Sequence, residues 1–210
     1  MPRVTSTTRT RGRRLSPLAI MVLVLAVAAV CALSAAQVVM RGCVLWSCPP
    51  PRSFSIVDLA IPREMFPVSS LVGGMIQTSE TGGARELASQ DVFWDAGRGS
   101  AHFVIWRYGT EGKASRAFGR SVETDRGFGL LECAGVELSP TSADVQYIGC
   151  GEHNEFGGFR ASANMRYAEY VVSLVAEIDD RMSFDSFGRL IAYVNREMAG
   201  KLGEPATEAP

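Results

Sequence analysis

"ELASQDVFWDAGRGSAHFVIWRY", residues 86–108, decides how this chain is read. Two runs rich in β-branched and aromatic residues flank the turn-forming residues Asp95 to Gly99, the pattern of a β-hairpin. Side chains alternate across a strand, so in the second run Phe103 and Ile105 point one way while Val104, Trp106 and Tyr108 point the other. Both faces are apolar. Such a strand belongs in the middle of a sheet that is covered on both sides.

Outward from the hairpin, the period changes. In residues 109–124, Ala114, Ala117, Phe118 and Val122 recur at helical spacing, and Thr110 is placed to cap the helix. Two short strands are expected within 129–138 and 143–150, then a longer hairpin over 157–179. From residue 168, Ala168, Tyr170, Val172, Leu174, Ala176 and Ile178 line one face, with Glu169, Ser173 and Glu177 read as solvated on the other. The chain closes in its strongest helix, residues 183–203, capped by Ser183 and striped with Phe184, Phe187, Leu190, Ile191, Val194 and Met198. Upstream, 55–60 reads as a short strand and the Gly-, Ser- and Thr-rich stretch 69–85 as loop. The order is strand–strand–helix twice. The expected class is α+β, an antiparallel sheet with the two main helices packed on one face, preceded by one N-terminal transmembrane helix.

Residues 17–40, "PLAIMVLVLAVAAVCALSAAQVVM", carry no charge and are long enough as a helix to cross a bilayer. Arg3, Arg9, Arg11, Arg13 and Arg14 precede the run and Arg41 follows it, which orients the N-terminus to the cytoplasm. The expected plan is a basic head (1–14), a signal-anchor (15–40), a Cys/Pro stalk (41–54), an extracytoplasmic domain (55–203) and a disordered tail (204–210). A cleaved signal peptide ending at Ala36, giving a secreted protein, is the alternative; the apolar run exceeds a usual h-region and favours the anchor. The stalk follows from "CPPP", residues 48–51: proline cannot continue the helix, and consecutive prolines form a stiff extended segment.

Residues 41–210 hold 16 basic and 22 acidic groups, a net charge of −6, and an acidic body excludes nucleic acid as a partner. An oxidising compartment makes disulfides of Cys43, Cys48, Cys133 and Cys150. The sequence-local pairing, Cys43 with Cys48 and Cys133 with Cys150, is expected; the alternative ties Cys48 to a domain cysteine. Cys31 lies in the membrane run as a small apolar residue.

The layout of basic head, anchor, stalk and α+β outer domain resembles the extracytoplasmic sensor or accessory domains of single-pass bacterial envelope proteins. That resemblance implies an outer-surface binding module and carries over no functional residue.

Candidate chemistry is sparse. Glu152, His153 and Glu155 on the loop "CGEHNEFGG" (150–158) form the best polar cluster, for a metal or a polar ligand. Zinc needs three or four ligands, and the chain holds two histidines, so a solvated loop is the simpler reading and no metal or cofactor is expected. His102, beside Val104 and Trp106, reads as a core histidine. "GTEGKAS" (109–115) lacks the first glycine and the Ser/Thr of a phosphate loop, and "GRGSAH" (97–102) sits in a hairpin turn. No His-Glu-x-x-His or Gly-x-Ser-x-Gly occurs, and no enzyme class is supported. Trp94 is the candidate binding anchor, while Trp106 reads as core. The expected function is binding of a small ligand or an envelope partner by a membrane-anchored domain; the alternative is a structural or assembly subunit of an envelope complex.

Overall fold

A computed structural model describes residues 16–41, 43, 48–79, 82–94, 97–133, 141–153 and 158–203, with side chains from 37 to 41 left aside. The chain divides into two units, Met1–Leu45 and Trp46–Pro210. The first contains helix α1 (Pro17–Arg41). Its stretch Pro17–Ala36 has a mean hydropathy of 2.8 over 20 residues, with none of it buried in the protein. It is long and apolar enough to cross a membrane.

The second unit is built on an eight-stranded antiparallel sheet. Its strands are β1 (Leu71–Val72), β2 (Ile76–Thr78), β3 (Glu86–Trp94), β4 (Gly99–Arg107), β5 (Leu131–Glu132), β6 (Val145–Glu152), β7 (Phe159–Tyr167) and β8 (Tyr170–Glu177). Their order is β1-β3-β4-β8-β7-β6-β5, with β2 also paired to β3. Helices α2 (Glu111–Gly127) and α3 (Phe184–Gly203) complete the α+β class read from the sequence. The hairpin 86–108 forms in full register from Glu86↔Arg107 to Trp94↔Gly99. A Cβ at position 99 would overlap the Trp94 ring, so glycine is required there. Thr110 caps α2 by accepting from the Lys113 N–H at 3.2 Å, and Ser183 caps α3 by accepting from Ser186 at the same distance. Cys133 and Cys150 are bonded to each other, Cys43 and Cys48 are each disulfide-bonded, and Cys31 is free.

The two helices do not share a face. Ala161, Ala163 and Met165 of β7 lie in one core with Phe187, Leu190, Ile191, Val194 and Met198 of α3. The alternate residues Ser162 and Asn164 instead bond to Asp125 of α2. Odd and even positions of a strand face opposite ways, so α3 and α2 cover opposite faces, correcting the one-face expectation. The reason is the apolar character of both faces of β4 and β8: one helical layer would leave Val104 and Val171, now buried, in water.

The upstream segments also differ from expectation. Residues 56–59 form a 3₁₀ turn rather than a strand, because the Asp58 carboxylate accepts from the Ser55 N–H at 3.0 Å and closes the backbone locally. The stretch expected as loop contributes β1 and β2. Buried Gln90 of β3 fastens both regions: its amide bonds the N–H and C=O of Ile61 and the C=O of Gly73, at 2.9–3.0 Å.

The stretch assigned to the stalk ends inside the domain. Arg52 forks onto Glu169 in the β7–β8 turn, Nε to Oε1 at 2.9 Å and Nη2 to Oε2 at 2.8 Å. Phe54 stacks on Tyr170 at 5.7 Å. Glu169, expected in solvent, has a side chain 1% exposed, and Arg107 stands 3.8 Å from it on a second side. A buried carboxylate that loses its cations keeps the desolvation cost without the compensation. Arg52→Ala should therefore cost about 3–5 kcal/mol in urea unfolding, whereas the double variant Arg52→Ala/Glu169→Leu should recover part of it. An Arg52→Ala loss below about 1 kcal/mol would show that the pair behaves as a surface ion pair.

Candidate functional site

Helix α2 crosses over β6, β7 and β8 and leaves a groove beside β4. The groove encloses about 390 Å³ between Ala117, Arg120, Ser121, Thr124 and Asp125 of α2 and Trp106, Tyr108, Val171 and Ser173 of the sheet side. Its elements follow from the sequence pattern. Ala114 and Ala117 are small enough for α2 to approach the sheet, where they join Ala84, Tyr108 and Val171 in a second, smaller core with Trp106 packed against it. Trp106 remains half-buried, so part of the indole forms a wall of the groove. Tyr108 is buried, and its backbone N–H donates to the Glu169 carbonyl at 2.8 Å. Burial pushes the Tyr108 phenol above its ordinary value, against the pull of Arg120.

The inner end of the groove is polar. Asp125 is 8% exposed and occupies a position on the apolar stripe of α2, three residues after Val122. Its Oδ2 accepts from Ser162 Oγ at 2.5 Å and from Asn164 Nδ2 at 2.6 Å, both side chains fully buried on β7. Burial raises the Asp125 carboxyl above its usual range, opposed by these two hydrogen bonds and by the nearby His153. The Oδ1 of Asn164 is buried and accepts no hydrogen bond among the described residues.

Two other hollows lie elsewhere on the same unit. The larger, about 520 Å³, lies between Glu64–Val68 and Arg181, Ser186 and Arg189 near the start of α3. Both arginines are exposed, and Arg189 already donates to Ser186. The other, about 400 Å³, borders Leu71, Asp91 and Phe93 at the sheet edge. Neither is lined by a buried ionisable side chain. A site that fixes a ligand's orientation needs convergent polar groups shielded from water, which favours the α2 groove despite its smaller volume.

Of the residues singled out from sequence, few converge here. His153 is buried, stacked on Phe128 at 4.7 Å, and close enough to Asp125 to act on its charge. Glu152 is exposed, so the two do not form one cluster; Glu155 lies outside the described residues. Among the described residues no group of three or more His, Cys, Asp or Glu is gathered to hold a metal. Trp94 is 1% exposed and donates from Nε1 to Asp179 Oδ2 at 2.7 Å. It is a core residue with its polar atom satisfied, which corrects its assignment as a binding anchor. Trp106, read as core, is the tryptophan that reaches the groove. His102 is exposed, with Nδ1 2.6 Å from Asp91 Oδ1, and is no core histidine.

Sequence reasoning missed Asp125, Ser162 and Asn164. Their signal was present: a carboxylate on the apolar stripe of a helix, and two polar residues alternating with Ala161, Ala163 and Met165 in a strand.

No family model and no curated relative match the chain. Among solved structures it is similar to the extracellular domain of PknH from Mycobacterium tuberculosis, with a TM-score of 0.49 and 12% identity, over 72% of this chain and 98% of that one. A likeness of that size carries no functional argument.

The raised Asp125 carboxyl has a stability signature. Its folded-state pKa lies above the unfolded value near 3.8, so the native state holds the proton more tightly. The associated stability is complete below the unfolded pKa and is lost as pH rises through the folded one. Asp125→Asn should therefore flatten the decline in urea-unfolding free energy from about pH 4 upward. Parallel pH profiles for the two proteins would contradict the burial argument.

Proposed function

We propose that this chain is a single-pass membrane protein whose outer domain is a binding module, with the α2 groove as its ligand site. The observation that carries this reading is the combination of one aromatic wall, Trp106, with a buried carboxylate, Asp125, in a groove of about 390 Å³. Small-molecule sites are concave, largely apolar and supplied with a few placed polar groups, at volumes of roughly 300–1,000 Å³. Within the groove the Asp125 carboxylate is already tied to the fully buried Ser162 and Asn164, which supports its use as a fixed polar anchor for an organic ligand. Orientation follows from the five arginines ahead of α1 and the one behind it, which hold the N-terminus in the cytoplasm.

A second reading has its own observation. Leu71, Ile76 and Phe93 are exposed together along the β1–β3 region, as an assembly surface would be. An assembly subunit would use this edge and leave the groove empty.

Native mass spectrometry of the full chain, extracted from its own membranes, separates the two. A stoichiometric extra mass, lost in Trp106→Ala, is the expected result. A bare protein that self-associates, with Phe93→Lys restoring the monomer, would replace the binding reading by the assembly one. For orientation, a cysteine placed at Thr207 should react with a membrane-impermeant maleimide on intact cells and one at Thr5 should not; the reverse pattern would invert the topology.

A further inference from the structure

The protein treats its two buried carboxylates differently. Glu169 is flanked by Arg52 and Arg107. Asp125 is nearly as buried, yet among the described residues no arginine or lysine pairs with it. Its direct partners are neutral donors, and both act on the same oxygen, Oδ2. The cationic influence on it comes from His153, whose ring is stacked on Phe128. Beside it stands an unsatisfied acceptor. Asn164 is 0% exposed and donates its Nδ2 to Asp125, so its Oδ1 lies within one amide group of the carboxylate while accepting nothing among the described residues. Leaving a buried acceptor unpaired is costly, and native proteins satisfy nearly all of them. An ammonium group is the matching counterpart: three donors, no acceptor, and a positive charge.

The other end of the groove has the complementary character. Arg120 lines it, is exposed, and makes no ion pair among the described residues. It lies five residues before Asp125 on α2, about 7.5 Å along the helix axis. That is roughly the length of two extended residues. Trp106 and Val171 supply an apolar wall between the two charges.

Building on the binding reading above, we propose that the groove takes a zwitterion the size of a dipeptide. Its ammonium lies at Asp125, whose inner hydrogen-bond partners include Asn164, its carboxylate at Arg120, and a side chain rests against Trp106. The ligand class is thus a free short peptide or amino acid with an unblocked amine.

The test is calorimetric titration of the full chain in lipid nanodiscs with leucyl-alanine, its N-acetyl form and its C-terminal amide. Saturable binding of the free dipeptide is expected, weakened about tenfold or more by N-acetylation. The N-acetyl comparison needs no variant, so it stands even if Asp125→Asn folds poorly. In Arg120→Ala the free acid and the amide should bind alike, whereas in the native protein the acid should bind more tightly. Equal binding of the free and N-acetyl dipeptides overturns the ammonium site while leaving the groove as a ligand site. Absence of saturable binding up to about 10 mM, where affinity falls below roughly 3 kcal/mol, also overturns it. In that case the copurified mass and its loss in Trp106→Ala still decide, separately, whether the groove binds anything.

Discussion

Everything in the second unit depends on the pairing of β4 with β8. These strands are far apart in sequence, yet they run antiparallel in continuous register from Ala101↔Ala176 to Arg107↔Tyr170. The seam joins two strand–strand–helix halves into one sheet. It also fixes which side chains look toward each helix. Phe103, Ile105, Val172 and Leu174 meet the α3 layer, while Val104, Trp106 and Val171 lie on the α2 side. A slip of one residue would exchange these sets and turn every side chain of the strand to the wrong layer. With two apolar faces to cover, two helical layers are required, and the groove is the part of the α2 face that its helix does not reach.

Burial of charge organises the rest. Glu169 sits in a two-residue turn where Ala168 takes a left-handed conformation with φ of 48°. A carboxylate there would ordinarily face water. Instead Arg52 arrives from 117 residues upstream and forks onto it, with Arg107 and Glu86 extending the network and Tyr170 lying under Arg107. Burial without a donor partner raises the Tyr170 phenol to about 12. A network of this kind stabilises little over apolar packing, but it tolerates only one arrangement of its members, and so it specifies position. The Asp125 cluster uses neutral hydrogen bonds to the same end, with His153 rather than an arginine acting on its charge.

How much of this was legible depends on how far apart in sequence the partners lie. The hairpin at 86–108, helix α2 with its Thr110 cap, and α3 with its apolar stripe are local patterns, and each forms as read. The Cys133–Cys150 bond is also near-local, and it formed as the expected pair. What failed needed a distant partner. Glu169 looked solvated because nothing near it in sequence announces Arg52. Trp94 looked free because Asp179, its hydrogen-bond acceptor, is 85 residues away. At 55–60, β-like composition lost to the short-range bond between Ser55 and Asp58. The placement of the helices is a different case. The two apolar faces of β4 already required two covering layers, and a one-face arrangement contradicted them. The candidate site was hidden because its members, Trp106, Arg120, Asp125, Ser162 and Asn164, converge only once β4, β7 and α2 are assembled.

The Arg52 fork also makes the domain a mechanical element. Tension applied to the chain at Pro51 meets the two parallel N–H···O bonds from Arg52 to the buried Glu169 carboxylate. From there it passes into Tyr170 at the start of β8 and Arg107 at the end of β4, the two central strands. The backbone of Tyr108, bonded to the Glu169 carbonyl, links that load path to the wall of the groove.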